Sequence, residues 1–145
     1  MIKVALIGFG GIAQSAHLPA YRVLQEKGKV QLVAACDIDR KRFSNKMEIN
    51  IGSAEDDNPM EFNKYTDWKE MLAEEEADMV DVCLPTFLHA KTTIELLKRG
   101  YNVLCEKPMA LNYEQSTAMV EAANQSEGKL MIAQCLRFAC AYTFI

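Results

Sequence analysis

The sequence predicts an α/β fold with a doubly wound parallel sheet in three layers, in which helices cover both faces of the sheet. Short apolar or β-branched runs recur along the chain, and helix-length amphipathic segments separate most of them. This alternation is typical of βαβ units, which build parallel sheets. Three predicted helix-to-strand junctions also carry a glycine, Gly28, Gly100 and Gly128. At each of them we expect the left-handed residue that ends a helix.

In chain order, the apolar run at 2–7 predicts a strand that stops at a glycine turn, and an amphipathic helix follows at 12–27. A second apolar run predicts a strand at 30–36, which leads into a helix at 39–49. The next segment, 50–63, is polar and interrupted by glycine and proline, so we interpret it as a surface loop.

The remaining elements continue the alternation. Asp67 is placed to cap a helix, because its carboxylate can accept a free N–H of the first turn, and Asn112 with Gln115 three residues on resembles a capping box. We therefore predict helices at 67–76, 87–99 and 113–127, and strands near 62–65 and at 79–84, 101–105 and 130–134.

Length and composition are those of a single globular domain. The 145 residues fit one domain, half of them are hydrophobic and a quarter are charged. The formal charge of −4 comes from scattered charges rather than from a basic face, which argues against nucleic acid. The start lacks a signal-peptide pattern, and no apolar run approaches the ~18 residues of a membrane span. We expect no membrane association and a cytoplasmic location.

The cysteines and acidic clusters favour structural roles. No C-x-x-C pair occurs among the five cysteines, Cys36, Cys83, Cys105, Cys135 and Cys140. An odd count without a secretion signal predicts reduced thiols, packed in the core where they lie in apolar runs. A catalytic thiol is the alternative for Cys105, which precedes Glu106. The acidic clusters at 55–57 and 74–76 are interpreted as solvated surface, and the sequence predicts no metal site.

The segment after the first strand has the pattern Gly8-x-Gly10-x-x-Ala13. In a dinucleotide-binding strand–turn–helix unit the first glycine makes the turn, and the second lets the backbone approach the pyrophosphate. A small third residue lets helix and strand pack closely. The helix that opens at Gly11 or Ile12 then points free N–H groups at the phosphates. S-adenosylmethionine enzymes use similar turns, but the position between a clear strand and a clear helix favours a dinucleotide.

Asp37 ends the second strand, 24 residues beyond Ala13. An acid at this place is expected to hydrogen-bond the adenosine ribose hydroxyls, and it favours NAD because a 2′-phosphate would meet its charge. Arg40, with Lys41 and Arg42, can instead partner that phosphate or form a solvated helical turn. We favour NAD and keep NADP as the alternative.

Polar residues also follow the fourth strand, at the edge of a parallel sheet where ligands bind. Thr86 is suited to cap the next helix, which alone can explain it. His89 is either close to the nicotinamide side of a cleft or an ordinary surface or capping group, and the same two interpretations apply to His17 on the first helix.

The segment Glu106-Lys107-Pro108 ends the fifth strand, so we expect Lys107 to stand over the same cleft as Gly10 and Thr86. A lysine beside a carbinol or carbonyl oxygen can hydrogen-bond it, stabilise developing negative charge and help to transfer the proton that accompanies hydride movement. The alternative is an exposed lysine that pairs with Glu106.

Taken in order, these motifs resemble the Gfo/Idh/MocA family of nicotinamide-dependent oxidoreductases over nearly the whole chain. The resemblance rests on residues 7–13 with His17-Leu18-Pro19-Ala20, on Leu84-Pro85-Thr86-x-x-His89, on 100–108 and on Arg137-Phe138. It implies a Rossmann fold in which Lys107 is the catalytic or substrate-orienting lysine. The implied cofactor contacts are Gly8, Phe9, Gly10, Gly11, Ile12, Asp37, Pro85 and Thr86, and the predicted cofactor site also includes Arg40, Leu84, His89, Glu106 and Lys107.

The resemblance also implies a function. Members of that family continue into a second α/β domain that supplies most of the substrate pocket, and we expect residues 1–145 to be the dinucleotide-binding domain without it. The expected activity is hydride transfer between NAD(P) and a secondary alcohol or ketone of a sugar, cyclitol or related polyol. We expect a homo-oligomer for the full-length form and no activity for this chain alone. The alternative is a non-catalytic module that binds NAD(P) and regulates a partner, which would have no need of Lys107.

Overall fold

The computed structural model describes residues 1–44 and 60–139. The chain divides into two compact units, Met1–Leu84 and Pro85–Ile145, which are described separately. The strands in the described ranges are β1 (Ile2–Ile7), β2 (Val30–Cys36), β3 (Asn63–Tyr65), β4 (Met79–Val82), β5 (Asn102–Cys105) and β6 (Leu130–Ile132). The α-helices in the same ranges are α1 (Leu18–Glu26), α2 (Trp68–Glu74), α3 (Thr86–Lys98) and α4 (Tyr113–Gln125).

The first unit is built on four parallel strands in the order β3-β2-β1-β4. The chain therefore extends the sheet on one side of β1 through β2 and β3, and then crosses to the other side to form β4. Ligands of open parallel sheets bind at the carboxyl ends of the strands where the strand order reverses. In this unit that place is the end of β1 and β4.

Burial in the first unit has the pattern of a parallel sheet covered on both faces. All four residues from Val4 to Ile7 are buried, although consecutive side chains of a strand point to opposite faces. On one face Val4 and Leu6 belong to a core cluster with Leu32 and Tyr21. This agrees with the predicted layered α/β arrangement.

The second unit contains β5 and β6, which pair in parallel. Helix α3 packs against α4 and against β5. The residues that these elements bury include Leu96, Leu97, Val103, Cys105, Met119 and Ala122. The parallel pair and its helices continue the βαβ pattern that the sequence predicts.

Apart from two helices, the predicted elements agree with those of the described residues to within a few residues, and β1 and β2 agree at both ends. The predicted caps are also present. Asp67 Oδ1 accepts the Lys69 N–H at 2.7 Å, and Asn112 Oδ1 accepts the Gln115 N–H at 3.0 Å. The Gln115 side chain accepts the Leu111 N–H at 3.2 Å, one residue before the Asn112 N–H that a capping box would use.

Two predicted helices differ from the structure. The helix predicted at 12–27 opens with a π-helical segment, Ala13–His17, before α1 begins. For the helix predicted at 39–49, the described part is a 3-10 turn, Arg40–Phe43, whose cap is Asp39. The remainder lies outside the described residues, as do most of the loop predicted at 50–63 and the acidic cluster at 55–57.

Gly128 has a different role from the one predicted. Gly28 and Gly100 do adopt the left-handed conformation, with φ of 66° and 85°, whereas Gly128 has no positive φ. A Cβ at Gly128 would overlap the carbonyl oxygen of Tyr101 and lie 2.5 Å from its carbon. Glycine is required there because the backbone just before β5 passes too close for any side chain.

The cysteines are mostly core residues. Cys36, Cys83 and Cys105 are buried and free, whereas Cys135 is exposed, which corrects its predicted burial. The Cys105 thiol is fully buried and donates to the Glu106 carbonyl at 3.6 Å, as expected for a thiol packed in the core. Cys140 lies outside the described residues.

Thiol reactivity should separate Cys36 from Cys135. Burial, with smaller contributions from the nearby carboxylates of Asp67 and Asp37, raises the pKa of Cys36 to about 12. At pH ~8 its thiolate fraction is then on the order of 10³-fold below that of an ordinary cysteine. We expect iodoacetamide to label Cys135 in the folded chain and Cys36 only after unfolding, as read by peptide mass spectrometry. Equal labelling of both residues in the folded chain would contradict the burial of Cys36.

Candidate functional site

The predicted glycine turn lies at the carboxyl end of β1. Gly8 has φ of +94°, and its N–H donates to the Cys36 carbonyl at 2.8 Å. A Cβ on Gly8 would lie 2.6 Å from the carbonyl oxygen of Cys83, the residue that follows β4. The turn is therefore packed against the chain leaving β4, at the place where the strand order reverses.

Asp37 is held at this turn by hydrogen bonds. Its Oδ2 accepts the Phe9 N–H at 2.8 Å, and its Oδ1 accepts the Asp39 N–H at 2.9 Å. The Nε of Arg42 lies 3.5 Å from Oδ1. An ionised carboxylate offers about four lone-pair sites, so it can accept a further hydroxyl. The structure thus brings together the two features that the sequence predicts for dinucleotide binding.

Arg42, rather than Arg40, is the basic residue beside Asp37. A Cβ at Gly10 would lie 3.3 Å from Nη1 of Arg42, so the guanidinium rests against the turn. The Gln14 side-chain amide holds this arrangement, because it donates to the Phe9 carbonyl at 2.9 Å and to the Arg42 carbonyl at 3.2 Å. Arg40 is exposed at the start of the 3-10 turn.

Phe9 holds the turn in place. Its buried ring packs on Phe43 and Phe62, with ring centroids 4.9 and 5.6 Å apart. Its N–H and carbonyl bond to Asp37 and Gln14, as described above. The side chain of Phe9 is therefore part of the core.

The helix start that follows the turn fits a pyrophosphate. Gly11 and Ile12 are already helical, and the Gln14 N–H donates to the Gly10 carbonyl at 3.1 Å. The first N–H groups of a helix have no intrahelical acceptor, and they form its positive end. Gly10 and Gly11 place no side chain over these donors, so a phosphate can approach the backbone.

His17 faces the interior of the first unit. Its Nδ1 lies 2.6 Å from Oδ2 of Asp81, a fully buried residue of β4. The same oxygen accepts the Tyr21 hydroxyl at 2.7 Å, and burial followed by the charge of Asp81 raises the pKa of Tyr21, which keeps that hydroxyl protonated as a donor. Our sequence reasoning missed Asp81, although an aspartate within the apolar strand Val80-Asp81-Val82 was a detectable signal.

In the second unit Thr86 is not the N-cap. Helix α3 begins at Thr86, the cap position is Pro85, and no side-chain cap hydrogen bond forms there. The Leu88 N–H donates to the Pro85 carbonyl at 2.9 Å and closes the first turn. Capping therefore does not explain the threonine.

His89 is neither a surface group nor a cap. It is 1% exposed, and its Nδ1 lies 2.9 Å from the carbonyl oxygen of Pro108. This contact ties the first turn of α3 to the segment Glu106-Lys107-Pro108. His89 thus supports the backbone that carries the predicted catalytic lysine.

Lys107 is exposed, two residues beyond the end of β5. The neighbouring Glu106 side chain is 9% exposed, and its Oε2 accepts the backbone N–H of Lys107 at 2.9 Å. The Lys107–Pro108 peptide is cis. Glu106 therefore contacts Lys107 through the backbone, which orders the segment and leaves the ammonium at the surface of the second unit.

Among the helices in residues 1–44 and 60–139, none combines the length and apolar character that a membrane span requires.

Comparison with known proteins agrees with this arrangement. A family model described as an oxidoreductase family with an NAD-binding Rossmann fold matches residues 2–134. The D-glucoside 3-dehydrogenase of Escherichia coli K12 is 31% identical over 124 residues, which are 86% of this chain and 32% of that protein. The inositol 2-dehydrogenase of Salmonella paratyphi B is 28% identical over 131 residues, 90% of this chain and 35% of that protein.

A similar solved structure is that of the WlbA dehydrogenase of Chromobacterium violaceum, in complex with NADH and UDP-GlcNAcA. It superimposes with a TM-score of 0.75 at 28% identity, over 94% of this chain and 36% of that one. The predicted Rossmann fold is confirmed. The chain spans about a third of the length of these relatives.

Proposed function

This chain belongs to the Gfo/Idh/MocA oxidoreductase family, and from that premise we propose that it is the NAD-binding half of a polyol or sugar dehydrogenase. The proposed reaction is hydride transfer between NAD and a secondary alcohol or ketone of a sugar, cyclitol or related polyol. The substrate class is supported by relatives that act on a glucoside and on inositol, and the cofactor by a similar structure that holds NADH.

The observation that carries the proposal is the contact between Asp37 and the glycine turn. Through the Phe9 N–H the carboxylate is fixed beside the turn, at the end of β2. A ribose hydroxyl bound there would place the adjacent pyrophosphate at the helix start, where Gly10 and Gly11 leave the N–H donors uncovered. In this proposal the Phe9 N–H positions the Asp37 carboxylate. Gly8 has no side chain, which allows the turn to pack directly against the backbone of Cys83.

Asp37 also supports the preference for NAD over NADP. The 2′-phosphate of NADP would lie close to the Asp37 carboxylate. The two negative charges would repel each other, and partial loss of water around them would strengthen the repulsion. Arg42 is the cation best placed to offset that repulsion, but its Nε is already paired with Asp37 at 3.5 Å. We therefore propose NAD as the working cofactor.

In the second unit we propose that Lys107 holds the substrate oxygen. A bound nicotinamide would supply or accept the hydride. Lys107 would hydrogen-bond the carbinol or carbonyl oxygen, giving the proton to the oxygen as an ammonium in carbonyl reduction and accepting it as a neutral amine in alcohol oxidation. Support comes from the ordered backbone of the segment, fixed by Glu106 and by His89. A purely regulatory NAD(P)-binding module would have no use for this lysine.

Asp37→Asn tests the cofactor assignment. The asparagine can still accept the Phe9 N–H, but it removes the charge and one acceptor oxygen. Charge-assisted hydrogen bonds contribute about 1.5–3 kcal/mol, so we expect NAD to bind roughly 10- to 100-fold more weakly and the NAD to NADP affinity ratio to fall. Fluorescence titration with NADH and NADPH measures both affinities.

Asp39→Asn is the matched control. Asp39 is exposed two residues away, and it caps the 3-10 turn by accepting the Lys41 N–H at 3.0 Å. Asparagine caps as well as aspartate, so this variant should keep the wild-type affinity ratio. If Asp37→Asn folds normally and leaves the ratio unchanged, Asp37 does not read the ribose.

A further inference from the structure

Three side chains of the types that ligate metals converge inside the first unit. His17 comes from the π-helical segment, Asp81 from β4, and Cys83 from the residue after β4. Their ligand atoms all lie within 4.8 Å of one another. The cluster is enclosed, because Asp81 is 0% and Cys83 6% exposed, and the His17 side chain is 12% exposed.

The two separations that involve the Cys83 sulfur match those around a tetrahedral zinc ion, whereas Nδ1 of His17 lies at hydrogen-bond distance, 2.6 Å, from Oδ2 of Asp81. The Cys83 sulfur lies 3.5 Å from Nδ1 of His17 and 3.6 Å from Oδ1 of Asp81. Zinc–nitrogen and zinc–oxygen bonds of about 2.0–2.2 Å and a zinc–sulfur bond of about 2.3 Å imply nitrogen–sulfur and oxygen–sulfur separations of about 3.5–3.6 Å in a tetrahedron. The sulfur therefore already stands at ligand distance from both partners.

The second carboxylate oxygen, Oδ2, contacts both the His17 ring and the Tyr21 hydroxyl, and a bound cation must displace its contact with Nδ1 of His17. Oδ2 of Asp81 accepts the Tyr21 hydroxyl at 2.7 Å, an outer contact of the kind that orients a metal-ligating carboxylate. Oδ1 is the oxygen that faces Cys83. The π-helical segment contributes as well, because its wider turn, closed by the Leu18 N–H on the Ala13 carbonyl, ends at His17. Such π turns occur frequently at functional sites.

The charge of the cluster also suits a divalent cation. With Cys83 as thiolate, Asp81 ionised and His17 neutral, the ligands carry two negative charges, which one divalent cation neutralises. A neutral assembly is the form that a buried site tolerates best. A thiolate disfavours hard cations such as Mg²⁺ and Ca²⁺, and a mixed sulfur, nitrogen and oxygen set suits zinc and its substitutes.

We propose that His17, Asp81 and Cys83 form a site for one divalent cation of the zinc class. This site is separate from the proposed NAD site, and it does not depend on whether the chain binds NAD. On binding, the cation takes the place of the Cys83 thiol proton and of any proton on Nδ1 of His17, and these protons pass to solvent. Affinity therefore rises with pH. The bound cation joins the helix after the glycine turn to the end of β4.

Cobalt titration of the whole chain tests the site. After removal of metals with a chelator, one equivalent of Co²⁺ should produce a thiolate-to-cobalt charge-transfer band in the near ultraviolet, and Zn²⁺ should abolish it by displacement. Cys83→Ser should lose the band. The matched controls Cys36→Ala, which removes another buried thiol, and Cys135→Ser, which removes an exposed one, should keep it.

Tyr21→Phe provides a graded variant that keeps the ring in the core. It retains all three ligands, so the band should form, with affinity weakened by roughly 10- to 100-fold as expected for loss of an outer hydrogen bond. Absence of a band in the folded wild-type chain would overturn the proposal, and the three residues would then be a buried hydrogen-bond network only. A band that survives Cys83→Ser would also overturn it.

Discussion

Gly8→Ala is expected to be the most destabilising single substitution at the glycine turn. The new methyl group would lie 2.6 Å from the Cys83 carbonyl oxygen and 2.8 Å from its carbon, and both are backbone atoms that cannot rotate away. The residue would also have to keep φ at +94°. Left-handed strain costs about 1–2 kcal/mol and overpacking about 1–3 kcal/mol or more, so the free energy of unfolding should fall by about 2–5 kcal/mol.

Gly28→Ala separates these two contributions. Gly28 is also left-handed, with φ of +66°, but a Cβ there meets nothing within 4 Å. Its cost should be the conformational strain alone, about 1–2 kcal/mol. Urea unfolding of both variants, followed by circular dichroism, gives the comparison. Equal losses of stability would show that Gly8 is required only for its φ and that the close approach to Cys83 does not matter.

In the dehydrogenase proposed to contain this chain, Lys107→Ala is expected to lower kcat by about 10²–10⁴-fold, the usual contribution of a group that transfers a proton in the transition state. NAD affinity should change little, because the proposed ribose and pyrophosphate contacts lie in the first unit. Steady-state kinetics and a separate NADH titration distinguish the two effects. An unchanged kcat would remove Lys107 from the mechanism.

Two further variants refine the test of Lys107. Lys107→Arg keeps the positive charge, but arginine cannot release a proton near neutral pH. If Lys107 only stabilises charge, the arginine variant should retain most of kcat. If Lys107 transfers the proton, kcat should fall as it does in Lys107→Ala. Lys129→Ala removes another exposed lysine of the same unit, directly before β6, and should leave kcat and affinity unchanged. If Lys129→Ala lowers kcat as much as Lys107→Ala, the effect is a general one of surface charge.

The local elements could be predicted because their signals are local. Strands β1 and β2 are apolar runs bounded by glycine or by charge, and both ends of each agree with the structure. The caps Asp67 and Asn112 were predictable for the same reason, since each bonds an N–H two or three residues away. The contact of Asp37 with the turn joins residues 28 positions apart; the spacing of the motif assigned both to one cofactor site, but it did not predict the bond to the Phe9 N–H.

Other features depend on contacts that spacing does not reveal. Gly128 is required by the backbone of Tyr101, and burial of His89 depends on the Pro108 carbonyl. The bond of His17 to Asp81 spans 64 positions, so the histidine could not be assigned from its place on the helix. Thr86 looked like a cap because threonine favours that position, but the proline before it occupies the cap.

The most direct test of the central claim is an isothermal titration of this chain with NAD and NADP in their oxidised and reduced forms. The arrangement of Gly8, Gly10 and Asp37 predicts saturable binding at one site, tighter for NAD than for NADP. A preference for NADP would contradict the role of Asp37 and point to Arg42 as the residue that reads the ribose. Absence of binding of every form would contradict the claim that the turn is a working dinucleotide site.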